Sequence, residues 1–186
     1  MFFLRLAGIR IREECDLIKA IGSRKRVVLA AEGIYQDYLS AVEDLLRTDI
    51  VQRLDIFPHH FDSSRLQHCV NVSYYSFLFC RRFGLDARSA ARAGLLHDLF
   101  FYELSHKKDG PHHTYLHPTQ ALQNATEHFD LNELEQDAIV CHMWPRGRLP
   151  RYAESFIVCI MDKHSWFLET LRYAAKRLAH VKAKAM

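Results

Sequence analysis

The sequence predicts an all-α fold, a single-domain helical bundle, and three observations carry that prediction. Glycine and proline are sparse, seven and five in 186 residues, so the chain has few places at which to break a helix. Apolar residues recur at helical spacing over long stretches, and strand-like alternation occurs only briefly, at Ile9-Arg10-Ile11. Capping signals bracket several of those stretches. The hydrophobic content of 49% is enough for one substantial core, and the length argues for one domain rather than two.

The first long helix is expected from about Val27 to Leu46. A second, near Arg65 to Phe83, is apolar on most of its circumference (Leu66, Val70, Val72, Tyr74, Tyr75, Phe77, Leu78 and Phe79). A helix apolar on nearly all sides belongs in the centre of a fold. Gly84 supplies its stop and Asp86 the N-cap of the next helix. That helix, about Ala87 to Leu99, is rich in Ala and Gly, which allows close approach to a neighbour. Glu103 to Leu116, with Lys107, Lys108, Asp109, Gly110 and Pro111, reads as a polar surface loop. His117-Pro118 is expected to open the following helix, with proline in the favoured first turn. Asn132 and Glu135 form a capping box for a helix that ends before Pro145. Arg146 to Pro150 is a short basic connection, and a last long helix runs from about Tyr152 to Arg177.

Composition excludes several classes of function. No apolar run approaches the ~18 residues of a membrane span, so no membrane association is expected. Arg5 interrupts the opening Met1-Phe2-Phe3-Leu4 before a secretory signal can form. The five cysteines (Cys15, Cys69, Cys80, Cys141 and Cys159) are odd in number and show no zinc-finger spacing. They read as buried free thiols in a reducing compartment, and the expected location is the cytoplasm. A formal charge of only +3 suits a small anionic ligand and does not call for nucleic acid.

Histidine is the outlier, with twelve residues. Several stand inside apolar helices. His68 shares a face with Val72 and Tyr75, His97-Asp98 lies between Leu95-Leu96 and Leu99-Phe100-Phe101, and His142 follows Ile139-Val140-Cys141. Asp162 ends the run Phe156-Ile157-Val158-Cys159-Ile160-Met161. A lone buried histidine is more often a hydrogen-bonded core residue than a ligand, so the case rests on the set. An unpartnered buried carboxylate costs several kcal/mol, and few basic residues flank Asp98 or Asp162. A divalent cation would serve both carboxylates and would also bind neutral imidazoles. Nitrogen and oxygen donors without paired thiolates suit Fe, Mn, Co, Ni or Zn better than a sulfur site.

In order, His68, His97-Asp98, His117, His142 and Asp162 resemble the ligand series of the HD-domain metal-dependent phosphohydrolase superfamily. The local contexts Ala93-Gly94-Leu95-Leu96-His97-Asp98, His117-Pro118 and Ile139-Val140-Cys141-His142 agree with it. The resemblance covers about Arg65 to Leu171. It divides the chain into an N-terminal helical extension packed on the core (1–60), an HD domain (61–178) and a basic tail (179–186). It implies that His68, His97, Asp98 and Asp162 hold one metal, and that His117 and His142 hold a second, with Asp98 bridging. The cofactors implied are two divalent transition-metal ions, Fe or Mn first, with Ni, Co, Zn or Mg as alternatives. The catalytic residues are then Asp98 and His97, acting with a hydroxide that bridges the metals and attacks phosphorus in line. The cyclic dinucleotide phosphodiesterases of the superfamily carry a Gly-Tyr-Pro signature after paired histidines. Trp144-Pro145-Arg146-Gly147 after a single His142 departs from it.

The substrate expected is a small phosphorylated molecule, a nucleotide in the leading reading. Arg146, Arg148, Arg151 and Lys163 are the candidate phosphate-binding residues, because guanidinium binds phosphate bidentately and ammonium acts as a point charge. Two rivals share the sequence: a di-iron oxygenase with the same ligands, and a regulatory module that binds metal or nucleotide without turnover. An oligomer is compatible with all three. Far-ultraviolet circular dichroism is expected to be dominated by helix, and a β-rich spectrum would overturn the fold and the ligand set together.

Overall fold

The computed structural model describes residues 30–59, 63–102 and 113–184. Among them are seven helices: α1 (Ala30–Leu46), α2 (Asp49–Gln52), α3 (Arg65–Phe83), α4 (Ala87–Leu96), α5 (His113–His128), α6 (Glu133–Cys141) and α7 (Ala153–Lys184). A 3-10 turn, Arg53–Ile56, follows α2, and the described residues contain no strand beyond one isolated antiparallel bridge between Pro58 and Ser64. The architecture is the all-α bundle expected. No described helix is long and apolar enough to cross a membrane. Ile9–Ile11, Cys15, Lys107 and Lys108 lie outside the described residues.

Helix α3 is the central element. Ser64 caps its start by accepting the Gln67 N–H, and Gly84 ends it in the left-handed conformation (φ 70°). Leu66, Cys69, Val70, Val72, Phe77 and Cys80 are buried, while Phe79 and Phe83 stay exposed, so the helix is enclosed on all but one side. It packs chiefly on α4 and α7. The small residues of α4 permit the close approach predicted. A Cβ placed on Gly94 would lie 2.9 Å from both Cα and N of Ser73. A second constraint joins α1, α4 and α6: buried Arg92 donates through Nε to Glu135 (3.0 Å) and through Nη1 to Asp44 (2.7 Å). The other Glu135 oxygen closes the predicted capping box with Asn132.

Arg65, fully buried at the first position of α3, holds the chain that leaves α4. Its guanidinium donates to the carbonyls of Phe100 (2.6 Å) and Tyr102 (3.0 Å) and lies 3.7 Å over the Phe100 ring. Three helix boundaries differ from expectation here and elsewhere. Helix α4 ends at Leu96, not Leu99, because Leu99 and Phe100 turn their N–H groups to the carbonyls of Leu96 and Asp98. Helix α5 begins at His113, so His113 to Leu116 are helical and Pro118 stands inside the helix rather than in its first turn. The proline faces the carbonyl of Thr114, close to the start, so a single backbone bond is forfeited. Helix α7 continues to Lys184, past Arg177, and absorbs most of the expected basic tail. Exposed basic side chains there suit the negative end of the helix dipole.

Gly94→Ala is expected to destabilise the protein. Alanine would gain up to about 1 kcal/mol in helix propensity. The new methyl meets backbone atoms of α3 that cannot swing aside, and such overpacking costs about 1–3 kcal/mol. Urea unfolding should show a net loss, and a variant as stable as wild type would show that the α3–α4 approach is looser than the structure has it.

Candidate metal centre

Two of the helices have a histidine as C-cap, and both use it the same way. His97 is the C-cap of α4, and its Nδ1–H donates to the Gly94 carbonyl three residues back (2.8 Å). His142 is the C-cap of α6, and its Nδ1–H donates to the Ile139 carbonyl (2.7 Å). A carbonyl only accepts, so Nδ1 carries the ring proton and Nε2 presents a lone pair inward. This is the outer hydrogen bonding that fixes metal-binding imidazoles. His68, on the inner face of α3, is oriented by a carboxylate instead: its Nδ1 lies 3.0 Å from Glu169 and its Nε2 3.1 Å from Asp162, both acids on α7. Asn71, one turn further along α3, also donates to Glu169 (2.9 Å). His117 comes from α5, with Nε2 2.9 Å from Nε2 of His142.

All six expected ligands therefore meet. His97 Nε2 lies 3.9 Å from Asp162 Oδ1 and 3.8 Å from Asp98 Oδ2, while His117 and His142 approach Asp98 Oδ1 at 3.7 and 3.6 Å. Two overlapping groups, His68–His97–Asp98 and Asp98–His117–His142, have ligand atoms within 4.8 Å of one another. The buried atoms His97 Nε2 and Asp98 Oδ1 make no hydrogen bond among the described residues. Buried polar atoms are rarely left so, and an imidazole lone pair beside a bare carboxylate oxygen fits a divalent cation.

The electrostatics favour the same species. Burial opposes ionisation of Asp98, but His97, His59, His117 and His142 outweigh it and hold the carboxyl well below its ordinary value. Burial likewise opposes ionisation of Asp162 and Glu169. His68 and its neighbours prevail, and Glu169 is brought down to about 2. Burial keeps His97 neutral and, with His97 and His117 nearby, pushes His142 down to about 3. His68 differs: burial alone would lower it, but its hydrogen bonds to Asp162 and Glu169 push it up to about 10.

Two residues at the centre, His59 and Glu169, were absent from the expected set. Glu169 follows Asp162 by two helical turns on one face of α7, a spacing readable in the sequence. His59 lies in the connection before α3, where periodicity gives no signal. Of the four candidate phosphate binders, the structure brings Lys163 to the ligands. Its Nζ donates to the carbonyls of His142 (3.2 Å) and Cys159 (3.0 Å) and lies 3.7 Å from Asp162 Oδ2. Arg148 and Arg151 are not brought there. They line a cavity of about 620 Å³ with Leu122, Gln136, Asp137, Val140 and Leu149, and Arg151 is paired with Asp137. The turn from Met143 to Pro150 directs them to that side of α6. Arg146 is exposed on the same turn. Cys69, Cys80, Cys141 and Cys159 are free and buried, as expected.

Without a cation, His68 holds a proton between Asp162 and Glu169, and a metal bound at Nε2 must displace it. His68 stays protonated below a pH of about 10, so displacement becomes easier as pH rises. Metal affinity is therefore expected to increase from pH 6 to 9 by up to about tenfold per unit, with about one proton released at this position. Calorimetry in buffers of different ionisation enthalpy measures both. An affinity that ignores pH would remove His68 from the ligand set.

A family model described as HD domain matches residues 65–166. That span opens on the first residue of α3, closes within α7 and contains all six expected ligands, while His59 and Glu169 fall outside it. The chain matches no curated protein. With more than half of its length matched, and with the histidine and aspartate side chains of that region gathered at one point, the chain belongs to the HD-domain family.

Proposed function

We propose that the protein is a metal-dependent phosphohydrolase that uses two divalent cations to cleave a phosphoester or phosphoanhydride in a small molecule, a nucleotide first among candidates. One observation carries the reading: the two oxygens of Asp98 face different partners. Oδ2 faces His97, and Oδ1 faces His117 and His142. A carboxylate so placed would be the ligand that two cations share. His68, His97 and Asp162 would hold the first, and His117 and His142 the second. The 2.9 Å between Nε2 atoms of His117 and His142 matches the roughly 3.0 Å between neighbouring ligands with bonds of ~2.1 Å. The donor set suits Fe or Mn, with Co, Ni, Zn and Mg as alternatives.

Bound there, divalent ions supply Lewis-acid polarisation of a phosphoryl oxygen and activation of water at neutral pH. The chain's own residues set the geometry. The Gly94 and Ile139 carbonyls keep the lone pairs of His97 and His142 on target. Asp98 supplies the shared negative charge. Lys163, half-exposed beside Asp162, offers an ammonium to an incoming phosphate, and Arg146 offers a guanidinium from the adjoining turn. A di-iron oxygenase would use the same six ligands, and no contact among the described residues favours it. A module without turnover has no use for unbonded, buried acceptors at Asp98 and His97.

A panel of nucleotides, screened with Mn²⁺ and with anaerobic Fe²⁺, tests the proposal. Phosphate release under argon is the expected result, whereas dioxygen consumption without phosphate release would replace it with oxygenase chemistry. Asp98→Asn keeps the shape and removes the charge. It is expected to bring turnover to background, with metal lost and the helical spectrum intact. Arg146→Ala should raise KM more than it lowers kcat. Wild-type turnover by a folded, metal-depleted Asp98→Asn protein would place the active site elsewhere. Anomalous scattering from metal-loaded crystals should show two peaks flanking Asp98.

A further inference from the structure

We infer that the outer face of α7 is a docking surface for an anionic lipid bilayer, with the helix lying flat on it. The inference rests on neither the metal centre nor its reaction. Helix α7 turns Val158, Ser165 and Glu169 into the bundle, where all three are buried. Ile160, Phe167, Leu171, Leu178 and Val181 point away from it and are between 49% and 64% exposed. They follow one another at intervals of seven, four, seven and three residues, which keeps them on one side of a helix. From Phe167 onward, Leu168, Ala174 and Ala175 widen the row to an arc of roughly 140° at about 3.6 residues per turn. An apolar row this long is seldom left in water.

The rest of that circumference is basic. No acidic residue follows Glu169, whereas Arg172, Lys176, Arg177 and Lys184 are all exposed. Arg172 and Arg177 stand beside the two edges of the arc, one on each. A cationic helix with one broad apolar face lies in the headgroup region of a bilayer, its apolar side chains inserted by about 5–10 Å. Its long basic stems then reach back to the lipid phosphates. Charge and width together select this occupant. A second copy of α7 would set basic residues against basic residues, because Asp162 and Glu169 of each copy are turned toward its own His68. A seam for a single partner helix is narrower than this arc. Such attachment needs no spanning segment, and no described helix provides one.

Sedimentation of the full chain with lipid vesicles tests this. Vesicles of phosphatidylcholine with roughly one-third phosphatidylserine should carry the protein down, and pure phosphatidylcholine should not. Raising the salt from about 0.1 M to about 0.5 M should release most of it. Leu171→Gln combined with Leu178→Gln removes apolar contact on the solvent side of the helix. The double variant should bind about tenfold more weakly or worse, with the helical spectrum unchanged. Arg177→Gln should weaken binding about fivefold. A wild-type protein indifferent to phosphatidylserine overturns the inference even if a variant fails to fold. A folded double variant that binds as the wild type does overturns it as well. A wild-type dimer that the double variant dissolves assigns the face to a second copy. Capture of an acidic amphipathic peptide with no vesicle binding assigns it to a protein helix. Either result replaces the bilayer as occupant.

Discussion

A carboxylate as deeply buried as that of Asp98 is costly without a positive partner, and the fold gathers imidazoles around it from widely separated segments. His59 comes from the connection before α3, His97 from the turn that carries Asp98 itself, His117 from α5 and His142 from the end of α6. Each segment arrives by a different route, so the packing of the bundle is what brings the charge environment into being. Burial holds His97 and His142 neutral. Those two rings therefore contribute lone pairs, and the acids around them keep their charge.

The position of Asp98 depends in turn on how α4 is stopped. The helix lies against α3 at Gly94, whose missing side chain sets the spacing and whose carbonyl aims His97. Immediately beyond, Arg65 takes the carbonyls of Phe100 and Tyr102. The His-Asp turn is thus gripped from both ends by α3, the helix that also carries His68. A guanidinium suits this task because its fork reaches two acceptors while its face rests on the Phe100 ring. The Phe100 ring then lies 5.5 Å from His117, which passes the constraint on to α5.

Much of this was legible in the sequence, and the parts that were not have identifiable causes. Helix α3 was readable because its apolar circumference, Gly84 and Asp86 are local signals that the tertiary structure does not override. The Asn132–Glu135 box was readable for the same reason. Five of the ligands stood out as short polar side chains in otherwise apolar helices, and His117 joined them through an order that resembles a known series. Leu99 and Phe100 are as apolar as the helix before them, so nothing local announced that α4 stops at Leu96; Arg65, distant in sequence, holds the chain there. Pro118 seemed to mark a beginning because proline is tolerated throughout the opening of a helix. The direction of Arg148 and Arg151 depends on the turn after His142, and Asp137 competes for Arg151. His59 sits in irregular chain and reaches the centre through backbone pairing between Phe57 and Arg65, which side-chain patterns do not encode.

His97 and His142 each terminate a helix whose other end is fixed by a cap, Asp86 for α4 and Asn132 for α6. Cap and ligand are thereby separated by a set number of residues, and each helix acts as a ruler. Adding or removing one residue would turn the terminal imidazole by ~100° and shift it by ~1.5 Å, so α4 and α6 are intolerant of insertions and deletions. Length variation among chains built on this plan belongs instead in the connections, such as the stretch between His142 and Ala153. There, added residues leave both rulers untouched and remodel only the approach to the cations.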